Sequence, residues 1–597
     1  MTGYQAPIAD LIFNIHELAG MANIRRLPGF EEVTPDLIEA ILEEAGKLGA
    51  DVLAPLNKTG DQQGCVLENG VVRTPDGFKE AYRQFIDNGW NGMPFDADYG
   101  GQGLPWLLTS AVGEIVQSAN MSFGLCPLLT QGAVELLTAH GSDGLKAIYL
   151  EKMVSGEWNG TMNLTEPGAG SDLASIRTKA IRDGDNYRVS GTKIFITYGE
   201  NDFTENIVHM VLARLDDAPD GIKGISLFVV PKFLVNPNGS LGPRNDLKAV
   251  SLEHKLGIHA SPTAVMSFGD NEGALGYLVG EENRGIEYMF TMMNNARLSV
   301  GIQGVAIAER AYQQALQYAR DRVQSRELGS SSKQSVAIIE HPDVKRMLLA
   351  MKAKTEASRA LALFVAGKLD YSKSHPDTKE RAEAFAYVDL LTPIVKAWSS
   401  DIGIEVANLG IQIHGGMGFI EESGAPQHLR DARITAIYEG TNGIQANDLV
   451  GRKIGRDEGK VVELVSAQIG EFLDKMNTEA SNDFESIHGH LTRARQALDK
   501  ASKWIVATYP TSPKKVAAGA VPYLELLGRV VGGWLLAKSA IIAKKQLQEG
   551  VGNPKYLNGK IVSARFFADQ VLVGSESLSE TVISGYKSID EISSDSF

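Results

Sequence analysis

Apolar residues return at helical spacing through most of this chain and at strand spacing through one stretch. In TPDLIEAILEEAGKLGADVLAPLN, Thr34 stands as an N-cap, and Leu37, Ile41 and Leu48 recur near helical spacing. This predicts helical hairpin material over residues 1–60. Helical patterns continue to about residue 158, broken by the glycine-rich FDADYGGQGLPW. The texture then changes. TKAIRDGDNYRVSGTKIFIT predicts two strands around an Asp-Gly-Asp-Asn turn, and IVHMVLARL, GISLFVVPKF and VMSFGDNEGALGYLVG continue the strand pattern. From residue 284 the chain returns to helix. SVGIQGVAIAERAYQQALQYARDRVQSR places Val305, Ala308, Tyr312, Leu316 and Ala319 on one side, opposite a charged face. Long helical segments follow at 341–370, 380–415 and 426–450. Four domains are expected: helical over 1–158, β over 159–280, a helical bundle over 281–450, and an additional helical block over 451–597.

A length of 597 residues agrees, because ~150 residues per domain gives three to five domains. Lys plus Arg number 58 against 73 for Asp plus Glu, a net charge of −15 that opposes non-specific nucleic-acid binding. Two cysteines, Cys65 and Cys126, exclude a disulfide framework or a multi-cysteine metal site. The opening MTGYQAPIADLIFNIHELAG lacks the basic-then-apolar layout of a signal peptide. The richest apolar run, VPYLELLGRVVGGWLLAKSAII, carries Pro522, Glu525, Arg529 and Lys538, which argues against a membrane span. A soluble, cytoplasmic protein without a nucleic-acid partner is expected.

Several site patterns are missing: the P-loop, HExxH, GxSxG and GxGxxG. The nearest approach to the last, Gly168-Ala169-Gly170, has Leu173 where the third glycine belongs. The histidines are scattered, with His254/His259 and His488/His490 the closest pairs, and no metal is expected. Three stretches carry candidate chemistry. NLTEPGAGSDLAS combines small residues, which let backbone amides approach a ligand, with the hydroxyls of Thr165 and Ser171. IQIHGGMGF places glycines just after a helix. In DARITAIYEGTNGIQ, Glu439 lies among Ile434, Ala436, Ile437 and Tyr438, and a carboxylate so flanked gains the raised pKa of a general base. Taken singly, each also fits an ordinary turn, a helix end or a surface acid.

These stretches, with TKIFITYG, the Arg297-containing NNARLSVGIQG and the Arg322-containing YARDRVQSR, occur in the order of one family. Over roughly residues 34–450 the chain resembles the acyl-CoA dehydrogenases. Its flanks resemble the larger bacterial subgroup, whose members act on fatty acyl-CoA or 3-methylmercaptopropionyl-CoA. The resemblance implies an α+β multi-domain fold: an N-terminal helical domain, a middle β-barrel-like domain, a C-terminal four-helix bundle and an extra C-terminal helical domain. It implies FAD as hydride acceptor, Glu439 as the base that removes the α-proton, and an electron-transfer flavoprotein as electron acceptor. In some relatives the base stands immediately before the motif arginine; here Ala296 occupies that place.

Resemblance also assigns the remaining site. Met162, Leu164, Thr165 and Ser171 match the loop along the isoalloxazine and pyrophosphate, and Phe195, Ile196 and Thr197 match the strand behind the ring. Phe195 stands where tryptophan is common. Arg322, His341 and the run from Gln412 to Gly415 and Gly416 match groups that reach the ADP half of FAD in a neighbouring subunit. Thr441 and Gly443 follow the base, Gly443 replacing the glutamine of some members. Ser171, Asn294, Arg297, Tyr438 and Gly440 match positions near the CoA chain and thioester, with Asn294 in place of an aspartate. A homodimer is expected. Two other readings share the scaffold: an acyl-CoA oxidase, and a DNA-binding alkylation-response relative that the acidic charge disfavours.

Overall fold

Helix α1 (Ile8–Phe13) and helix α2 (Pro35–Lys47) open the computed structural model, which describes residues 3–479 and 484–597. Thr34 caps α2, its hydroxyl accepting from the Leu37 amide at 3.2 Å. The buried row is Ile38, Leu42 and Ala45, while Leu37 is exposed. Of the expected apolar positions only Leu37 departs, since Leu48 is buried and Ile41 packs against the core; the helix contacts α1 and α3 (Trp106–Ala119). Helix α4 (Met121–His140) follows directly. Within the expected helical block, Val66–Glu68 and Val71–Arg73 pair instead as an antiparallel hairpin. Asn69 and Gly70, both at positive φ, form its turn, and Asn-Gly is the sequence signal for it.

Eight strands form the middle layer: β1 (Trp158–Asn163), β2 (Lys179–Asp183), β3 (Asn186–Thr197), β4 (Asn206–Leu215), β5 (Ile225–Pro231), β6 (Leu247–Leu252), β7 (Thr263–Phe268) and β8 (Ala274–Leu278). Backbone pairing closes a ring, β3 to β2, β2 to β4, β4 to β5, β5 to β8 and β8 to β3. This is the expected barrel. Val189, Val211, Phe228 and Met266 fill its interior. The outer faces of β4 and β5 carry Met210, Leu212, Leu227 and Val229, which pack with Ala133 and Leu136 of α4 and with Met289 of the next helix. Burial on both faces explains why β4 and β5 read as nearly continuous apolar runs.

Helices α5 (Gly285–Asp321), α6 (Pro342–Ser374) and α7 (Thr378–His414) form the bundle. Helix α5 is buried nearly all round from Ala296 to Ala311, so its polar face emerges only beyond that point. A Cβ on Gly304 would stand 2.2 Å from the Ser399 carbonyl, so glycine permits the close α5–α7 approach. The segment 426–450 is not one helix. Ala425–Ala432 and Asn442–Asp448 are separated by a short turn at Arg433–Ala436 and by Glu439 and Gly440, whose φ values are +56° and +81°.

Helix α8 (Ala520–Glu549) is long and apolar enough to cross a membrane, yet 78% of its apolar window is buried. It packs against α6, α7 and α9 (Pro554–Gln570). One ionic cluster ties the layers together. Arg359 of α6, buried, donates to Glu114 of α3 (Nε–Oε1 2.8 Å), to Asp10 of α1 (2.7 Å) and to Glu309 of α5 (2.7 Å). Asp10 also accepts from Lys560 and Tyr556 of α9, each at 2.8 Å.

Candidate active site

The glycine-rich loop after β1 and the end of β3 are held together by a buried ion pair. Lys193 Nζ donates to Glu166 Oε1 at 2.8 Å and to the Leu164 carbonyl at 3.1 Å, and the Ile194 amide donates to the Thr165 carbonyl at 2.9 Å. Glu166 further accepts from the amides of Arg177 and Thr178 and from the Thr178 hydroxyl. Burial alone raises the Glu166 pKa, but Lys193 and these donors prevail and hold it below its ordinary value. Burial pushes Lys193 down to about 8.

Phe195 sits on a bulge of β3, opposite a register shift in β7, with φ +61°. The bulge turns its ring outward, 58% exposed. Thr165, Thr197 and Met162 are partly buried beside it in sequence, Leu164 and Ile196 are buried, and Ser171 is exposed. Added Cβ atoms on Gly168 and Gly170 would meet nothing within 4 Å. An exposed flat ring beside an open loop of hydroxyls and glycines suits a planar, phosphate-bearing ligand.

Glu439 lies in the break between the two helices, half-buried and in a left-handed conformation that is uncommon for a residue with a side chain. The loop is pinned on every side. Gln445 Nε2 donates to the Glu439 carbonyl at 3.0 Å, and Lys396 Nζ donates to the Gly440 carbonyl at 2.7 Å and to Asn442 Oδ1 at 2.8 Å. Asn442 in turn donates to Ser400 Oγ at 3.0 Å and Asp401 Oδ1 at 2.8 Å, and the Thr441 hydroxyl caps the following helix. Desolvation pushes the Glu439 carboxyl up to about 7, against the opposing pull of Arg297 and Lys396. Such a group accepts a proton near neutral pH.

Arg297 is buried and donates to Asn294 Oδ1 at 3.2 Å, while its Nε has no partner among the described residues. Tyr438 donates to Gln303, whose amide faces Gln117 at 3.4 Å. Gln117 lines a narrow cavity of about 60 Å³ between α3, α4 and α5. Arg297, bonded to Asn294, lies within electrostatic reach of Glu439, and Tyr438, Gly440, Thr441 and Gly443 flank it along the loop. Gly440 leaves space there that a side chain would lose, because a Cβ would meet Gln445 Nε2 at 2.8 Å.

Arg322 and His341 do not join this group. Both bond Gln324, Arg322 to its side chain at 2.9 Å and His341 to its carbonyl at 2.8 Å. Arg322, the C-cap of α5, follows Arg297 by 25 positions, roughly 37 Å at 1.5 Å per residue. At that far end His414 stacks on Tyr318, beside exposed Gln412, Gly415 and Gly416. The expected site residues thus fall into two separate groups on one chain.

Lys396, Gln303 and Gln117 escaped sequence reasoning. Lys396 interrupts the apolar run LLTPIVKAW on α7, and a lone cation among buried neighbours is the signal that marks it. The described residues hold no cluster of metal-ligating side chains. His259 bonds Asp61 and the Lys255 carbonyl instead.

Family models of the N-terminal, middle and C-terminal domains of acyl-CoA dehydrogenase match residues 38–157, 161–271 and 283–454. A fourth, described as acetyl-CoA dehydrogenase C-terminal like, matches residues 465–592. With a barrel between helical layers and a desolvated glutamate at the bundle, the chain belongs to the acyl-CoA dehydrogenase family and is an oxidoreductase. It is 51% identical over 575 residues, 96% of each chain, to 3-methylmercaptopropionyl-CoA dehydrogenase of Ruegeria pomeroyi. It is 33% identical to the broad-specificity linear acyl-CoA dehydrogenase FadE5 of Mycobacterium tuberculosis, over 99% of this chain and 100% of that one. An acyl-CoA dehydrogenase complexed with FAD from Bacillus anthracis shares the fold, with a TM-score of 0.74 at 21% identity, over 94% of this chain and 90% of that one.

Proposed function

We propose that this enzyme converts a short-chain acyl-CoA thioester to its trans-2-enoyl-CoA, with Glu439 removing the α-proton. The observation that carries the reading is the Glu439 carboxyl, pushed up to about 7 on a loop fixed by Lys396, Gln445 and Asn442. A positioned base with a pKa near ambient pH holds both a useful ionised fraction and enough basicity to take the proton. Family membership and the exposed Phe195 ring beside the open loop support FAD. Met162, Leu164, Thr165, Ser171, Phe195, Ile196 and Thr197 would hold its ring and pyrophosphate side, with Thr441 and Gly443 beside it. FAD, when bound, supplies the acceptor for the β-hydride. An electron-transfer flavoprotein would be the electron acceptor, as family membership supports. Arg322, His341, Gln412, Gly415 and Gly416 lie too far from Glu439 to serve the same chain's site, which favours a homodimer in which they complete the partner's site.

Arg297, Asn294, Tyr438, Gly440 and Ser171 would orient the thioester and CoA chain. Lys396 acts through Glu439: it fixes the loop and favours the ionised carboxylate. In Lys396→Met the Glu439 pKa is expected to rise further, so the rising limb of the pH–reduction profile moves to higher pH. Lys396→Arg should restore part of the shift, and an unmoved limb in a folded, FAD-loaded Met variant refutes this role.

The narrow cavity supports a short acyl chain. At about 60 Å³ it has room for a chain of only a few atoms. The 3-methylmercaptopropionyl chain has four non-hydrogen atoms beyond its carbonyl, and the relative from Ruegeria pomeroyi bears that substrate in its name. Dye-linked turnover with butyryl-, 3-methylmercaptopropionyl-, octanoyl- and palmitoyl-CoA tests the reading. The first two are expected to give the highest kcat/KM; a preference for palmitoyl-CoA overturns the short-chain assignment.

A further inference from the structure

Two cavities meet at one wall. The narrow one, about 60 Å³, is lined by Leu128 and Gln131 of α4 and by Leu298 and Ile302 of α5. A wider one, about 470 Å³, lies against α2 and is lined by Ile41, Leu48, Val52 and Leu104, with Glu44, Lys47 and Asp51 at its solvent-facing rim. Trp90 and Met93 line both.

The backbone that carries these two side chains is anchored. A single turn at Trp90–Gly92 follows Gly89, whose φ is +74°. Asn91, buried, donates to the carbonyls of Met153 at 2.8 Å and Val154 at 3.1 Å. Gln131, itself in the narrow cavity, donates to the Asn91 carbonyl at 3.1 Å. The Leu104 amide bonds the Met93 carbonyl at 2.8 Å, and Gln102 Nε2 bonds the Gly89 carbonyl at 2.9 Å. The turn is fixed from both sides, so the partition between the cavities consists of two side chains on a stiff support. Met93 is almost wholly buried and Trp90 partly so.

We infer that Trp90 and Met93 determine chain-length specificity, ending the acyl site and closing it off from a second cavity that would otherwise continue it. This rests on the reading of the narrow cavity as the acyl site. A chain that fits the narrow cavity stops at the wall. A longer one needs space that the wider cavity has, with an apolar interior for the methylenes and an open rim for the chain end. Truncating either side chain joins the two volumes without touching Glu439 or the flavin-side loop.

The test compares kcat/KM for butyryl-CoA, octanoyl-CoA and palmitoyl-CoA in the parent, Trp90→Ala, Met93→Ala and the milder Trp90→Leu. Each methylene of fit is worth about tenfold or more in kcat/KM, so at least a ~10-fold rise in the octanoyl-to-butyryl ratio is expected in the variants. FAD content should stay near parental, because neither side chain touches the flavin-side loop. An unchanged ratio in FAD-loaded variants of a butyryl-active parent overturns the wall and leaves the proposed function standing. A parent inactive on all three thioesters and on 3-methylmercaptopropionyl-CoA overturns the proposed function itself. If both alanine variants fail to fold, the ratio in Trp90→Leu decides.

Discussion

Glu439→Gln is expected to retain FAD and bind acyl-CoA while flavin reduction by substrate falls ~10²–10⁴-fold, the usual contribution of a positioned general base. Glutamine preserves the size of the side chain. The loop also survives, because its anchors reach the Glu439 and Gly440 carbonyls and Asn442 rather than the carboxyl. What is lost is the capacity to accept a proton. The parent should also carry a pH signature. A base pushed up to about 7 is mostly protonated and idle below that pH, so reduction rises through neutrality and levels off above it. The limb should vanish in the glutamine variant. Anaerobic stopped-flow loss of flavin absorbance measures both effects, and near-parental reduction in Glu439→Gln would refute the mechanism.

Arg359→Met is expected to be the most destabilising single substitution in the bundle. The guanidinium faces three carboxylates, Asp10, Glu114 and Glu309, all nearly excluded from solvent. Burial opposes their ionisation: it raises the Glu114 pKa, whereas at Asp10 the attraction of Lys560 and Arg359 overcomes it and holds the carboxyl below its ordinary range. Removing the central cation strands charge in a poorly solvated interior, a loss of about 3–5 kcal/mol. Arg83→Met serves as control, since its partners Glu80 and Asp87 are exposed and such pairs contribute about 0–1 kcal/mol. Thermal and urea denaturation followed by circular dichroism should show a clearly lower midpoint for Arg359→Met alone. Equal midpoints for the two variants would mean that the cluster contributes little.

The chain reveals its layers more readily than its couplings. Strands β3, β4 and β5 follow local patterns, and Glu439 is conspicuous among apolar neighbours, so those features are legible. The Asn69-Gly70 hairpin also had a local signal, hidden by the helical texture around it. The break at 433–441 was hidden for a different reason. ITAIYEG keeps enough apolar character to continue a helix, and only the left-handed Glu439 and Gly440, held by Lys396 from another helix, end it. Lys396, Gln303 and the Trp90–Met93 wall depend on which helices meet, and no periodicity encodes that. The ionic cluster is the extreme case: its members come from α1, α3, α5, α6 and α9, and each alone looks like a surface charge.

That cluster also imposes an order on synthesis. Asp10 and Lys560 are 550 residues apart. At about 5–20 residues per second, Asp10 emerges from the ribosome roughly 30–110 s before the lysine that neutralises it. Until then α1 cannot sink into the bundle without burying a carboxylate that lacks one of its two cations. Helix α1, made long before α9, is therefore expected to be among the last to settle. A chain cut before α9 is expected to hold α1 less firmly, since Asp10 then keeps Arg359 but lacks Lys560.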